Sequence, residues 1–194
     1  MDASTPRPAV VFAHDGGGVS CSVDVYAPQI ARYIADTVIT FFDVDDVFSS
    51  LKYNPSHVAE FNIDPERIAI MGDSVGVAER SPLEPFLIWN SGDNKQAWNA
   101  IPGDEAGKED ASVSVYAAPG RAKDLRDPPS TYIEVGGLDL FRAEDASYAS
   151  RIAAEDVEVE LHVRPGLPHI YEAASEVTIV KKALDARKRA LKTL

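Results

Sequence analysis

Short apolar runs alternate along the chain with longer amphipathic stretches, and this alternation limits the possible folds more than any other feature. The runs are rich in β-branched and aromatic residues and are bounded by Gly, Pro or Asp, which predicts strands. They cover residues 9–13, 37–42, 67–71, 86–89, 131–135 and 157–163. Strands that alternate with helices favour the α/β class, a mostly parallel, doubly wound sheet with helices on both faces.

The stretches between these runs predict helices over residues 25–35, 46–60, 144–156 and 175–194. The first places Tyr26, Ile30, Tyr33 and Ile34 at near-helical spacing, and Pro55 interrupts the second. The last is the clearest, with one apolar face made of Val177, Val180, Leu184 and Leu191. Residues 90–129 carry few regular signals, so we expect a long loop there with at most a short helix.

Length and charge narrow the class of protein further. The chain has 194 residues, which suits one domain over residues 1–194. Its net charge of -12 argues against a nucleic-acid partner, because binding phosphates requires clustered Lys and Arg.

No apolar run approaches the ~20 residues of a membrane span, and the N-terminus does not resemble a signal peptide. Cys21 is the single cysteine, so no internal disulfide forms. We expect a cytoplasmic protein.

The sequence GDSVG at residues 72–76 follows directly on the apolar run at 67–71. This is the G-x-S-x-G pattern in the context of a nucleophile elbow, in which a serine stands on a tight turn between a strand and a helix. The two glycines would avoid collisions with the neighbouring strand and helix. Ser74 is therefore a candidate nucleophile, and the alternative is an ordinary serine in a glycine-containing loop.

A second glycine-rich stretch, HDGGG at residues 14–18, follows the first predicted strand. Three adjacent glycines are costly to order unless the backbone must approach something closely. Their N–H groups could form half of an oxyanion hole, with the N–H of Val75 as the other half. The alternative is a plain flexible turn.

A serine nucleophile requires a base and a carboxylate that orients it. His169 lies in a loop after the last strand, whereas His162 within that strand is expected to be structural and His57 to lie on a helix surface. Asp139 comes just after a strand end, although it could instead cap the helix that follows. The order Ser74, Asp139, His169 is the order in α/β-hydrolases.

Several of these stretches together resemble the hormone-sensitive-lipase-like branch of the α/β-hydrolases, a family of carboxylesterases with an HGGG motif and a GDSAGG elbow. The stretches are HDGGG, NIDPERIAIMGDSVG, PPSTYIEVGGLDLFRAED and VEVELHVRPGLPHIYE. The resemblance implies Ser74 as nucleophile, Asp139 as orienting acid and His169 as base. It also implies an oxyanion hole made by the N–H groups of Gly16, Gly17 and Val75.

The chain also departs from the family pattern. Asp15 stands where the family has the first glycine of HGGG, and the elbow reads GDSVGV instead of GDSAGG. Only 13 residues precede His14, and the segment after the elbow is compressed. The resemblance therefore implies an α/β-hydrolase fold without the usual N-terminal strands and cap.

These features together predict a serine carboxylesterase that hydrolyses small or short-acyl esters through an acyl-enzyme. Its partner would be a small-molecule ester, with no cofactor and no metal. An exposed sheet edge would allow a homodimer. The alternative is a catalytically impaired or non-catalytic α/β-hydrolase remnant that acts as a binding protein.

Overall fold

The computed structural model describes residues 5–13, 23–44, 58–73, 82–100, 120, 122–126 and 128–194. Five strands lie in these ranges: β1 Arg7–Ala13, β2 Thr40–Val44, β3 Ile63–Gly72, β4 Thr131–Leu138 and β5 Val159–Pro168. The first three form a parallel sheet in the order β2-β1-β3, and β4 pairs with β5 in a second parallel sheet. The parallel pairing confirms the predicted α/β class.

Five α-helices accompany the strands in the described ranges: α1 Val23–Thr37, α2 Val58–Phe61, α3 Ser91–Ala100, α4 Arg142–Ala153 and α5 Thr178–Leu191. Two 3-10 helices cover Glu84–Phe86 and Tyr171–Ala174. None of these helices is long and apolar enough to cross a membrane. The chain separates into two compact units, the first built on β1 to β3 and the second on β4 and β5. The single domain over residues 1–194 stays a prediction.

The core of the first unit surrounds β1. Val10 and Phe12 are fully buried there and pack with Ile30 and Tyr33 of α1 and with Leu191 near the chain end. Successive side chains of a strand point to opposite faces, and residues 9–12 are all buried, so both faces of β1 are covered, which explains its continuous apolar run. The predicted inward face of α1 is confirmed at these two positions, whereas Ile34 is 42% exposed.

Asp73, directly after β3, is held by side chains of the first unit. Its Oδ2 accepts a hydrogen bond from Gln29 Nε2 of α1 at 3.2 Å, and its Oδ1 lies 3.9 Å from Nη1 of Arg187. Arg187, a buried residue in the second half of α5, also donates to Tyr33 Oη at 2.9 Å. These polar partners accompany the burial of the Arg187 side chain.

The second unit is built on the β4–β5 ladder, in which Tyr132 pairs with Glu160 and Leu138 with Pro168. Ile152 of α4 is buried within this unit. A separate apolar cluster is formed by Leu167, Tyr171, Val180 and Ala183. Val177 was predicted on the same helical face, but it precedes α5 and is half exposed.

The prediction of a strand over residues 86–89 is wrong. The chain forms a 3-10 helix at Glu84–Phe86 instead, with a proline in its first turn. Phe86 and Ile88 are largely exposed. A short apolar run becomes a strand only when a neighbouring strand accepts and donates its backbone hydrogen bonds, and none of the five described strands pairs with this segment.

Helix α3 lies in the region predicted as a long loop with a short helix, and agrees with that short helix. A reciprocal capping box holds the start of α3. Asn90 Oδ1 accepts hydrogen bonds from the N–H groups of Gly92 and Asp93, and Asp93 Oδ2 accepts one from the N–H of Asn90. The helix is polar and has no apolar stripe, so hydrophobic periodicity could not reveal it. Of the predicted helix at 46–60 the structure describes only α2, and the other residues lie outside the described ranges.

We expect Arg187→Leu to lower the free energy of unfolding by about 3 kcal/mol, because it leaves the carboxylate of Asp73 without its cation. Urea unfolding followed by circular dichroism measures the change. Arg189→Leu is the matched control, since Arg189 is an exposed residue of the same helix. Equal losses in the two variants would contradict a specific role for the Asp73–Arg187 pair.

Candidate active site

The ends of β4 and β5 place two of the predicted site residues side by side. Leu138 and Pro168 are partners in the ladder, and the next residues along the two strands are Asp139 and His169. Ligands of open α/β sheets bind beyond the carboxyl ends of parallel strands. The register of the ladder therefore brings the predicted acid and the predicted base together.

Asp139 and His169 form a buried hydrogen-bonded pair. Asp139 Oδ2 lies 2.8 Å from His169 Nδ1, and both side chains are less than a tenth exposed. An ionised carboxylate only accepts hydrogen bonds, so Nδ1 of the imidazole carries the proton in this contact. In the neutral ring the proton on Nδ1 leaves Nε2 with its lone pair, which is the arrangement a general base requires.

The other oxygen of Asp139 bonds to the backbone. Oδ1 accepts a hydrogen bond from the N–H of Phe141 at 3.0 Å. The N-cap position of α4 is Phe141 itself, which makes no side-chain cap. Asp139 therefore holds the turn before α4 with one oxygen and contacts His169 with the other, but it is not the N-cap of that helix, so the capping alternative is wrong.

Two aromatic side chains flank the His169 ring. The ring centroid of Phe141 lies 5.5 Å away in an edge-on arrangement, and that of Trp89 lies 6.3 Å away. Trp89 is held by a hydrogen bond from its Nε1 to Oδ1 of the buried Asn94, at 3.2 Å. Sequence analysis missed Trp89 as a site residue because it assigned residues 86–89 to a strand.

Gly136 allows the two strand ends to approach each other. A Cβ atom at this position would lie 2.3 Å from the carbonyl oxygen of Leu167 and 2.9 Å from that of Pro168. Both distances are shorter than the contacts that Cβ atoms make in proteins, so a larger residue would push the chain before His169 away. The glycine is therefore a condition for the 2.8 Å contact of Asp139 and His169.

The backbone after His169 turns sharply. Ile170 has a φ of 51°, in the left-handed region that β-branched residues rarely adopt. This conformation costs roughly 1–2 kcal/mol, so the surrounding contacts must enforce it. The turn lets His169 follow β5 directly while Tyr171 begins a 3-10 helix packed in the core of the second unit.

Asp145, in the first turn of α4, adds a further acidic group near the pair. Burial, and then the negative charges of Asp139 and Glu144, raise the pKa of Asp145 to about 7, while His169 opposes the shift. Below about pH 7 this carboxyl is mostly protonated, so it places less negative charge near Asp139 and His169 than an ordinary aspartate would. Neither its burial nor its neighbours could be read from the sequence.

The remaining predicted site residues have different outcomes. Ser74, Val75, Gly16 and Gly17 lie outside the described residues, as do His14 and His57, so their roles stay predictions. His162 lies on β5, where its Nε2 is 2.6 Å from Glu160 Oε1 and its ring contacts Tyr132. These contacts agree with the structural role expected for it.

Gly72 has ordinary space around it. The nearest described neighbours of an added Cβ lie at 3.7 Å, so the collision predicted there is not found among them.

Within the part of the chain that the structure describes, no group of three or more His, Cys, Asp or Glu side chains could hold a metal ion.

The comparisons with known proteins agree with this fold. A family model described as alpha/beta hydrolase fold matches residues 80–173. Esterase LipI of Mycobacterium tuberculosis (strain ATCC 25618 / H37Rv) is 27% identical over an alignment of 235 residues, gaps included. The alignment covers 96% of this chain and 72% of LipI. Carboxylesterase NlhH of the same organism is 27% identical over 250 residues, covering 95% of this chain and 74% of NlhH.

Solved structures show the same similarity. A bacterial heroin esterase superposes with a TM-score of 0.89 at 22% identity, covering 99% of this chain and 76% of the esterase. Esterase LipW from Mycobacterium marinum superposes with a TM-score of 0.86 at 21% identity, covering 98% of this chain and 74% of LipW. The chain has the fold of the α/β-hydrolases. The resemblance to their hormone-sensitive-lipase-like branch, drawn from the sequence motifs, is confirmed.

The raised pKa of Asp145 predicts a pH-dependent stability. The folded state favours the protonated carboxyl, so this contribution is fully present below about pH 4 and is lost as the pH rises through about 7. Asp145→Asn is neutral at every pH, and we expect it to be more stable than the wild type at pH 8.5 by about 2 kcal/mol. The gain should be smaller at pH 5.

Urea unfolding at pH 5 and pH 8.5 measures this difference. Glu155→Gln, an exposed carboxylate just beyond the same helix, is the control and should show no such dependence. A gain from Asp145→Asn that is equal at the two pH values would contradict the assignment.

We also expect Gly136→Ala to lower the free energy of unfolding by about 3 kcal/mol, because its methyl group would overlap backbone oxygens that cannot move cheaply. Gly72→Ala is the control, with ordinary contacts to its described neighbours, and should cost less than about 1 kcal/mol. Thermal and urea unfolding compare the two variants. A loss for Gly136→Ala no larger than that of the control would show that the strand ends tolerate a side chain.

Proposed function

We propose that the chain is a carboxylic ester hydrolase that works through a Ser74–Asp139–His169 triad and an acyl-enzyme. The observation that carries the proposal is the buried 2.8 Å contact between Asp139 Oδ2 and His169 Nδ1 at the carboxyl ends of neighbouring parallel strands. The names of the relatives support the reaction class, since LipI and NlhH are an esterase and a carboxylesterase.

In the proposed mechanism, His169 Nε2 takes the proton from Ser74 Oγ as that oxygen attacks the ester carbonyl carbon. The carbonyl π bond opens to a tetrahedral oxyanion, which accepts hydrogen bonds from the N–H groups of Gly16, Gly17 and Val75. The intermediate collapses, the carbon–oxygen bond to the alcohol breaks, and His169 protonates the departing alcohol. Water then repeats the sequence on the acyl-enzyme and releases the acid.

The role of Asp139 follows from its contacts. Its carboxylate holds the proton on His169 Nδ1, so Nε2 is the basic nitrogen, and it stabilises the imidazolium that forms when Nε2 takes the serine proton. The backbone bond from Phe141 fixes the direction of the carboxylate. No step of this mechanism calls for a metal or a cofactor.

Small or short-acyl esters are the proposed substrates, as the sequence predicts. The ring centroids of Phe141 and Trp89, 5.5 and 6.3 Å from that of His169, support this proposal because these side chains occupy space beside the imidazole. A homodimer and a cytoplasmic location stay predictions. For the homodimer, Ile70 is exposed on β3, which ends the sheet among the described strands.

The test is hydrolysis of p-nitrophenyl acetate and butyrate, combined with fluorophosphonate labelling located by mass spectrometry. We expect wild-type turnover with the label on Ser74, and loss of both in Ser74→Ala. Ser150→Ala, at an exposed serine of α4, is the control and should keep both. Asp139→Asn should lower kcat by roughly 10⁴, because the imidazole then adopts the wrong tautomer.

The opposite outcomes are equally informative. A folded wild type with neither turnover nor label would overturn the proposal and favour the non-catalytic binding protein. Label on a serine other than Ser74 would keep an esterase but reject the assigned nucleophile. Circular dichroism of each variant shows that lost activity does not reflect lost folding.

A further inference from the structure

A second buried carboxylate lies on the same two strands as the Asp139–His169 pair. Glu134 of β4 has a side chain only 3% exposed, and Arg164 of β5 donates to its Oε2 from Nη2 at 2.6 Å and from Nε at 3.0 Å. Two tyrosine hydroxyls also donate to it: Tyr132 to Oε2 at 2.6 Å, and Tyr171 to Oε1 through a short hydrogen bond.

Burial makes these bonds strong constraints. A buried charge is tolerated only when it is paired and hydrogen-bonded, and breaking one bond leaves a desolvated oxygen without its donor. Burial and the hydrogen bond to Glu134 raise the pKa of Tyr132, so this hydroxyl keeps its proton and donates. Arg164 fixes the carboxylate across the β4–β5 ladder, which makes Glu134 a rigid point of attachment.

The two tyrosines attach different parts of the chain to Glu134. Tyr132 lies two residues earlier on β4, so its hydrogen bond stays within one strand. Tyr171 lies two residues after His169, beyond the left-handed turn at Ile170. The ladder anchors the chain up to Pro168, and Tyr171 anchors it again on the far side of His169.

We propose that the hydrogen bond from Tyr171 to Glu134 is a positioning contact, which holds the turn at 169–171 so that the His169 ring stays against Asp139. Tyr171 and Glu134 act through His169 and touch no reacting atom. The consequence for turnover rests on the proposed function, whereas the consequence for the Asp139–His169 bond does not.

Tyr171→Phe removes one oxygen and leaves the buried ring among Leu167, Val180 and Ala183. Tyr132→Phe is the matched control, because it removes the other phenol donor to the same carboxylate but leaves the turn at 169–171 attached. We expect Tyr132→Phe to lose less stability than Tyr171→Phe, because Oε2 keeps both hydrogen bonds from Arg164 in Tyr132→Phe. Only Tyr171→Phe should lower kcat, by about ten- to a hundred-fold at nearly unchanged KM, since small displacements of a catalytic group cost about this much.

A proton NMR spectrum in water supplies a readout that does not need turnover. The Nδ1 proton of His169, shared with a buried carboxylate and protected from exchange, should give a low-field resonance in the wild type that His169→Gln removes. It should broaden or disappear in Tyr171→Phe and persist in Tyr132→Phe. All measurements are made well below the melting temperatures of the variants.

The outcomes separate the two proposals. An active wild type, together with a Tyr171→Phe variant that keeps both its kcat and the low-field proton, overturns the positioning role. Equal losses of kcat and of this proton in both tyrosine variants also overturn it, because the effect would then come from the carboxylate in general. An inactive wild type that carries no fluorophosphonate label rejects the proposed function, and the proton spectra of the two variants still decide the positioning contact.

Discussion

The parallel register of β4 and β5 is the constraint on which the candidate site depends. Arg164 bonds Glu134 across this ladder, and five residues further along each strand His169 meets Asp139. Both pairs are buried, and both join the same two strands. A slip of one residue would turn every side chain of a strand to the opposite face and separate both pairs. The ladder thus converts a backbone hydrogen-bonding pattern into the position of a possible general base.

Carboxylates with little exposure to solvent hold the chain in both units. Asp73 bonds Gln29 and lies near Arg187 directly after β3, and Glu134 bonds Arg164 and two tyrosines in the second unit. Such pairs contribute little net stability, since desolvation offsets most of the attraction, but losing one partner is costly. Their effect is to fix geometry. Asp73 directly precedes the candidate nucleophile Ser74, and the Glu134–Arg164 pair joins the two strands that lead to Asp139 and His169. Asp145 shows the opposite case, where burial among like charges favours the neutral acid.

The sequence predicted helices and strands well where burial in the core imposes the pattern of apolar residues. The continuous apolar run of β1 and the helical spacing of apolar residues in α1 both arise because a helix layer packs on a sheet. Both patterns are therefore visible in the sequence. The pattern failed where packing is not the cause. Residues 86–89 are apolar but pair with none of the described strands. Helix α3 is held by the caps of Asn90 and Asp93 and has no apolar stripe.

By itself, the sequence determined the α/β class, the order of Asp139 and His169 after two strands, and the glycine-serine motif that marks Ser74 as a candidate. These depend on local chemistry: strand-forming runs, turn residues and the spacing of reactive groups along the chain. Only the tertiary structure decided that Asp139 Oδ2 reaches His169 Nδ1, that Trp89 stands beside the ring, and that Glu134 is anchored by Tyr171. Those contacts join residues 30 or more positions apart, and their formation depends on strand register and burial, which no local pattern encodes.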